Sequence, residues 1–132
     1  DDYQGAYKDT GDAGSSSTTP AQLKKQIATI KKGGKQVSMK SLIVPGKVTV
    51  VDFYADWCMP CKVMSPKLEK LANNDSAVFL RKVDIVNWNT PVANQYDINT
   101  IPLVCVYNRK GTQVGSPTSD LDAIEKYIAK AK

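Results

Sequence analysis

The spacing of apolar residues along the sequence changes near the middle of the chain. Residues 48–55 are β-branched, aromatic and nearly continuously apolar, which is typical of a strand covered on both faces. From Lys62 onward, the apolar side chains instead share one helical face, at Cys61, Met64, Leu68 and Leu71. The sequence therefore predicts a buried strand that passes directly into an amphipathic helix.

The second half of the chain continues to alternate between strands and helices. We predict strands at 78–85, 103–107 and 112–115, and helices at 90–96 and 119–129, the last with Leu121, Ile124 and Ile128 facing inward. A short strand is also predicted near 36–39. The order β-α-β-α-β-β-α requires parallel strands joined by helical crossovers, and the short turn at Lys110 requires an antiparallel final pair.

The N-terminal part of the chain has a different composition. Residues 1–18 hold no aliphatic side chain larger than alanine and are rich in Gly, Ser, Thr and Asp, which predicts a disordered or flexible tail. A helix should begin at Thr19, since Pro20 suits the first helical position and Gln22 completes a capping box. This helix would bury Leu23, Ile27 and Ile30 and end at Gly33-Gly34. We therefore predict a tail at 1–18 and one domain at 19–132.

Length and composition exclude several classes of protein. A chain of 132 residues suits one domain, and three cysteines are too few for a disulfide-stapled scaffold. No apolar run approaches the ~20 residues of a membrane helix. The formal net charge of +5 divides into −3 on residues 1–18 and +8 on residues 19–132. The lysines are scattered over helix faces without an aromatic stacking platform, which favours a solvated surface over nucleic-acid binding.

Cys58 and Cys61 lie two residues apart, where the predicted strand gives way to the helix. Unpaired N–H groups and the positive end of the helix dipole favour a thiolate at that position, so Cys58 is the candidate nucleophile with Cys61 in reach behind it. A closed zinc site cannot be assembled from Cys and His in this chain, because it has no histidine and only Cys105 besides this pair. A structural disulfide would close too short a loop to add much stability. The pair is therefore predicted to carry redox chemistry.

Two segments carry a resemblance to a known family. Residues 50–62, followed by Pro66, resemble the thioredoxin signature, and residues 96–102 resemble that family's loop ending in a cis-proline. The resemblance covers roughly 47–130. It implies an α/β fold with a mixed central sheet flanked by helices. It also implies a thiol–disulfide oxidoreductase that reduces protein disulfides through a mixed disulfide. The only redox centre would be the Cys58–Cys61 disulfide, without a further cofactor or a metal.

The resemblance assigns roles around the dithiol. Cys58 matches the attacking cysteine and Cys61 the resolving one, while Trp57 matches the indole that flanks the site and contacts substrate. Asp52 matches a buried carboxylate that helps to move the proton of the resolving thiol, and Lys82 matches the lysine near it. Burying an aspartate in an apolar strand costs free energy, and a residue that has no partner is retained there only if it has a function. This supports a functional role for Asp52.

The resemblance also indicates residues that would bind substrate. Pro102 matches the cis-proline beside the disulfide, and the backbone of Ile101 would pair with an extended substrate. Gly115 resembles the glycine of the loop that lines the substrate groove. Met59 replaces the usual glycine between the cysteines, whereas Pro60 is retained. Because the histidine of strongly oxidising relatives is absent, we predict a reductant.

The implied partners are disulfide-containing proteins and an electron-donating reductase, with the chain itself a monomer. The sequence begins without methionine and with a polar tail, as expected once a signal peptide is removed. Residues 37–40 and 45–47 also look similar to extracytoplasmic members of the family. We therefore expect a periplasmic or secreted location, with a cytoplasmic one as the alternative. An iron–sulfur or metal-binding module of the same fold is the alternative function. A specialised cytochrome-maturation reductant is disfavoured, because Met64 stands where that branch typically carries glutamate.

Overall fold

The computed structural model describes residues 25–132, which form a five-stranded sheet with helices on both faces. The strands are β1 (Ile27–Ile30), β2 (Val48–Tyr54), β3 (Val78–Asp84), β4 (Leu103–Tyr107) and β5 (Gln113–Thr118). The helices are α1 (Met39–Leu42), α2 (Met59–Asn73), α3 (Pro91–Gln95) and α4 (Leu121–Ala131). The predicted tail and the predicted helix start at Thr19 lie outside the described residues.

The sheet is mixed, as predicted, with the strand order β1-β3-β2-β4-β5. β3 pairs in parallel with both β1 and β2, whereas β4 pairs antiparallel with β2 and β5. Helix-containing crossovers join the parallel strands, and a turn at Asn108 joins the last two strands. Within residues 25–132, none of the helices combines the length and the apolar character that a membrane crossing requires.

The first described element corrects one prediction. Residues 27–30, predicted as part of a helix, form the strand β1, whose Ile27 lies opposite Leu80 of β3. Ile27 and Ile30 satisfy a helical period, but β-branched side chains also suit a strand, and pairing with β3 decides between the two. The Gln26 side chain fixes the start of β1 by donating to the carbonyls of Asp75 and Val78, each at 2.9 Å.

The predicted strand near 36–39 is also wrong. Residues 35–38 have no regular structure, and α1 begins at Met39. The backbone N–H of Val37 donates to the side chain of Gln95 at 2.9 Å, and its carbonyl accepts from the hydroxyl of Tyr96 at 2.5 Å. Side chains from the α3 region therefore occupy the hydrogen-bonding groups that a neighbouring strand would need.

The core lies on both sides of β2, which explains its nearly continuous apolar sequence. Val51 and Phe53 pack in one cluster with α1 and α3, whereas Val48 and Val50 pack in a second cluster with α2 and α4. Asp52 follows Val50 on the face that α2 covers. Because β2 and β3 are parallel and adjacent, the loops after them meet at one edge of the sheet. This edge holds the candidate site.

Candidate active site

Cys58 is the N-cap of α2, and its sulfur accepts a hydrogen bond from the backbone N–H of Cys61 at 3.1 Å. Pro60 lies within the first two helical positions, where its missing N–H leaves no donor to satisfy. The two cysteines form a disulfide with Cα atoms 5.2 Å apart. Cys58 is 5% exposed and Cys61 only 2%, so the N-cap cysteine is the more exposed of the two.

The cis-proline loop lies directly beside this disulfide. The Ile101–Pro102 peptide bond is cis, as the resemblance implies. The Cys58 sulfur lies 3.8 Å from the carbonyl oxygen of Ile101. Pro102 is buried and Ile101 is half-buried. The structure thus brings together the predicted residues Cys58, Cys61, Ile101 and Pro102.

Trp57 forms the rim of the site on the side of β3. Its indole N–H donates to the carbonyl of Val86 at 2.6 Å, and its ring meets that of Trp88 edge to face, with centroids 5.6 Å apart. Val86 has a φ of 69°, a left-handed conformation that β-branched residues rarely adopt. Its N–H donates to the side chain of Asp84 at 2.9 Å. The roles of Val86 and Trp88 were not predicted, because they depend on a loop conformation that no local motif signals.

Lys31, another residue that the sequence did not single out, directly follows β1 and supports the same rim. Its ammonium group contacts the carboxylates of Asp56 at 3.0 Å and Asp84 at 3.1 Å. Asp56 precedes Trp57 and Asp84 ends β3, so one lysine connects the two loops that hold the indole. Hydrogen bonding to Asp56, and then to Asp84, raises the pKa of Lys31 above its usual value.

Asp52 is fully buried beneath α2, and within residues 25–132 no donor lies within hydrogen-bond distance of either of its carboxylate oxygens. Burial raises the pKa of this carboxyl to about 7; the charge of Lys82 opposes the rise and that of Glu69 adds to it. A carboxyl with such a pKa changes protonation state near neutral pH, as a general base requires. The functional role of Asp52 stays a prediction.

Lys82 lies opposite Asp52 in the register of β2 and β3, but its ammonium group is held by α2. It pairs with Glu69 at 3.1 Å and lies 5.4 Å from the ring centroid of Tyr54. The Ser65 hydroxyl also donates to Glu69, at 3.3 Å. Glu69 was not predicted, because it meets Lys82 only when α2 packs on the sheet.

Gly115 does not line the groove beside the disulfide, contrary to the prediction. It lies within β5 with a φ of 73°, and the ring of Tyr127 packs where a Cβ atom would stand. The pairing of β4 with β5 also shifts register nearby, so this glycine lies in an irregular part of the strand. Ser119 occupies the groove instead, next to Leu121 at the start of α4. The sequence match misplaced the loop because β5 extends to Thr118, three residues beyond its predicted end.

Several large apolar side chains around the N-terminus of α2 are exposed. In the part of the chain that the structure describes, the large hydrophobic residues with high exposure are Trp57, Met59, Val63 and Trp88. All four lie on α2, just before it, or on the loop after β3 that contacts Trp57. Contiguous exposed apolar patches are typical of surfaces that bind other molecules. The patch includes the predicted substrate-binding residues Trp57 and Met59.

A dithiol at a helix N-terminus, facing a cis-proline within an apolar rim, defines the thioredoxin-like class of thiol–disulfide active sites. Comparison with known proteins agrees. The family model described as Thioredoxin matches residues 34–130. The chain is 36% identical to thioredoxin of Chlamydia trachomatis over 84 residues. These residues cover 63% of this chain and 81% of that protein. The chain belongs to the thioredoxin family, whose members exchange thiols and disulfides.

Longer relatives and solved structures are similar over different shares of their length. The chloroplastic M-type thioredoxin of Spinacia oleracea is 37% identical over 102 residues, which cover 70% of this chain but 54% of that protein. Thioredoxin-T of Drosophila melanogaster is 42% identical over 62 residues, 46% of this chain and 39% of the relative. The chain thus spans about half or less of these two relatives. The reduced thioredoxin of Schistosoma mansoni superposes with a TM-score of 0.62 at 27% identity, covering 82% of this chain and 100% of that one.

Neither the comparisons nor the side-chain arrangement favours the metal-binding alternative. The relatives are named as thioredoxins, and within residues 25–132 no three His, Cys, Asp or Glu side chains gather in a group that could hold a metal ion. The third cysteine, Cys105, is buried in β4 and forms no disulfide.

Proposed function

We propose that this protein reduces disulfide bonds in other proteins through the Cys58–Cys61 dithiol. The position of Cys58 at the N-cap of α2 carries the proposal. The Cys61 N–H already points at the Cys58 sulfur, so the donor and the helix dipole are in place to stabilise a thiolate. The more buried Cys61 is positioned to attack Cys58 once that sulfur has bonded to substrate.

The reaction proceeds in two exchanges. The Cys58 thiolate attacks one sulfur of the substrate disulfide, forms a mixed disulfide and releases the other substrate sulfur as a thiolate. Cys61 then loses its proton and attacks Cys58, which releases the second substrate sulfur. The substrate gains two electrons, its two released thiolates take up protons from the solvent, and the chain is left with the Cys58–Cys61 disulfide. An electron-donating reductase must then restore the dithiol.

Asp52 is the proposed acceptor for the proton of Cys61. It lies under α2, and its pKa of about 7 lets it accept a proton at neutral pH. Asp52→Asn should therefore slow turnover near neutral pH without unfolding the protein. An unchanged rate across about pH 6 to 8, the range in which this carboxyl titrates, would exclude the role.

The direction of electron flow is proposed from the dipeptide between the cysteines. Met59-Pro60 keeps the proline and lacks the histidine of strongly oxidising relatives, which supports a reductant. Equilibration of the purified protein with glutathione buffers of known potential measures this directly. A potential close to that of thioredoxin, about −270 mV, supports the proposal, and one near −120 mV makes the protein an oxidant instead.

The central experiment separates the roles of the two cysteines. With a protein disulfide as substrate, Cys58→Ser should abolish reduction, whereas Cys61→Ser should still attack and accumulate a covalent mixed disulfide. Non-reducing gels and mass spectrometry detect the trapped species. Trapping by Cys58→Ser but not by Cys61→Ser would reverse the assignment.

An extracytoplasmic location is proposed as well, supported by the similarity of residues 37–40 and 45–47 to extracytoplasmic members of the family. Such a protein would receive electrons from a membrane-borne donor, whereas a cytoplasmic one would use a flavoprotein reductase that oxidises NADPH. Immunodetection in cell fractions of the source organism decides between them, and recovery with cytoplasmic markers alone would refute the proposal.

A further inference from the structure

Basic side chains that are far apart in the sequence meet at the end of the sheet opposite the disulfide. The loop before β2 and the turn between β4 and β5 are joined here. The Gly46 N–H donates to the Arg109 carbonyl at 2.9 Å, and the Arg109 guanidinium donates to the Gly46 carbonyl at 2.7 Å. The guanidinium also donates to the carbonyl of Lys132 at 3.3 Å, which places the end of α4 beside the turn. We call this surface the basic pole and define it by Lys40, Lys47, Arg109, Lys110, Lys130 and Lys132.

The positive charge of the basic pole is only partly neutralised. Five of its six side chains are exposed, and Lys47 is half-buried. The Arg109 guanidinium bonds to backbone carbonyls, which carry no net charge. Within residues 25–132, Lys132 forms a salt bridge with Asp75, and the other five cations form none. Glu125 lies nearby, since it lines a cavity together with Lys132 and Asp75. Six cations and these two carboxylates leave a net charge of +4.

The disulfide end of the molecule mixes acidic and basic side chains. Lys31 pairs there with Asp56 and Asp84, and Asp120 and Asp122 lie at the start of α4. β2 spans seven residues between the two ends, which separates the basic pole from the disulfide by about 20 Å. The exposed apolar side chains around the N-terminus of α2 also lie at the disulfide end. The folded chain is therefore polarised, with positive charge at one end and the redox centre at the other.

The basic pole fits an anionic membrane surface better than a folded protein or a nucleic acid. Stable protein interfaces are built around buried aromatic or apolar anchors, and among residues 25–132 the large exposed apolar side chains lie at the other end. The cavity lined by Lys40 and Lys110 is about 220 Å³, smaller than the usual pockets for small ligands. In the described chain, this surface consists of short turns and helix ends, with no projecting helix or ribbon that could enter a nucleic-acid groove. A layer of anionic headgroups requires only positive charge.

We propose that the basic pole attaches the protein reversibly to membranes rich in anionic phospholipids, with the disulfide end facing away from the bilayer. Clusters of roughly four to eight lysine and arginine residues are typical of such surfaces, and each residue near the membrane strengthens binding about fivefold. The attachment is electrostatic, so it acts over about 8 Å at physiological salt and weakens as salt is added. This inference goes beyond the proposed function, and the attachment requires neither thiol.

Co-sedimentation with vesicles tests the attachment. The full chain is mixed, at about 0.1 M salt, with vesicles of phosphatidylcholine that are either pure or contain about one-third phosphatidylglycerol. The protein should sediment with the anionic vesicles and stay in solution with the pure phosphatidylcholine vesicles. About 0.5 M salt should release it from the anionic vesicles. Equal binding to both kinds of vesicle, or binding to neither, would overturn the proposal.

Two matched double variants localise the binding surface. Lys40→Gln with Lys110→Gln removes two exposed charges from the basic pole and should weaken vesicle binding at least about tenfold. Lys35→Gln with Lys62→Gln removes two exposed charges from the loop after β1 and the first turn of α2, at the disulfide end, and should weaken binding less than about threefold. All four side chains are exposed, so both variants should fold, and circular dichroism checks this. Equal losses would show that total charge, rather than the basic pole, controls binding, and would overturn the proposal.

Intrinsic fluorescence tests the orientation on the membrane. Trp57 and Trp88 are the two tryptophans of the chain, and both lie at the disulfide end. Attachment through the basic pole should therefore leave their emission unchanged, and brominated lipids should not quench it. Quenching of the bound protein by brominated lipids would place the disulfide end on the bilayer and contradict the proposal.

Soluble polyanions distinguish a membrane from other anionic partners. Vesicle binding that persists in the presence of an equal charge of polyglutamate or duplex DNA supports the membrane as the partner. Binding to polyglutamate or to DNA without binding to vesicles, lost in the Lys40→Gln and Lys110→Gln double variant, would assign the basic pole to an acidic protein or a nucleic acid. That result would overturn the membrane assignment.

Discussion

Replacing Asp52 with asparagine should stabilise the protein at alkaline pH and have little effect near pH 4. In the folded protein the pKa of Asp52 is raised to about 7, against an ordinary value of 3.8 in an unfolded chain. Between these values the folded state holds a proton that the unfolded state has lost, so wild-type stability falls as pH rises. The difference between the two pKa values corresponds to about 4 kcal/mol, because one pKa unit is worth about 1.36 kcal/mol.

Urea unfolding of the oxidised proteins measures this effect. Asp52→Asn should exceed wild type by about 4 kcal/mol at about pH 8 and by less than about 1 kcal/mol at about pH 4. Asp97→Asn provides the control for the same chemical change at an exposed position, with a φ of 52° that asparagine tolerates. It should show a small difference at both pH values. An advantage of Asp52→Asn that is equal at the two pH values would refute the argument that this carboxyl ionises at a cost in the folded state.

Two further predictions concern the third cysteine and two glycines. Burial raises the pKa of the Cys105 thiol to about 12. An alkylating reagent should therefore modify Cys58 rapidly in the reduced protein and Cys105 only on unfolding. Equal labelling rates for the two cysteines would contradict the burial of Cys105. Gly115→Ala should cost at least about 1 kcal/mol more stability than Gly46→Ala, because both positions have positive φ but only Gly115 faces the Tyr127 ring. Thermal unfolding compares the two variants, and equal losses would show that the ring moves aside freely.

The sequence was informative where local pattern and tertiary structure agree. The change of period after β2 predicted both the strand and α2, since burial on two faces and then on one helical face leaves different patterns. β1 was mistaken for a helix because Ile27 and Ile30 fit both periods, and the strand that decides between them lies about fifty residues further along the chain. No local pattern records such a distant partner.

The candidate site likewise contains some residues that the sequence could identify and others that it could not. Cys58, Cys61 and Pro102 lie in short motifs, so the sequence was enough to identify them. Glu69 and Ser119 matter because packing brings them to Lys82 and to the groove beside the disulfide, and their own neighbours in sequence do not signal this. A register shift in an edge strand misplaced Gly115, since strand irregularities depend on pairing geometry rather than composition.

The irregular strand β5 also affects how the protein behaves at high concentration. β5 ends the sheet order, so one of its edges is not paired within the described sheet, and open edges invite other chains to add a strand. The register of β5 against β4 shifts between Val114 and Thr118, and Pro117 lacks the N–H that a ladder needs. A second molecule would meet an interrupted row of donors and acceptors here. The protein should therefore resist aggregation by strand addition at this edge.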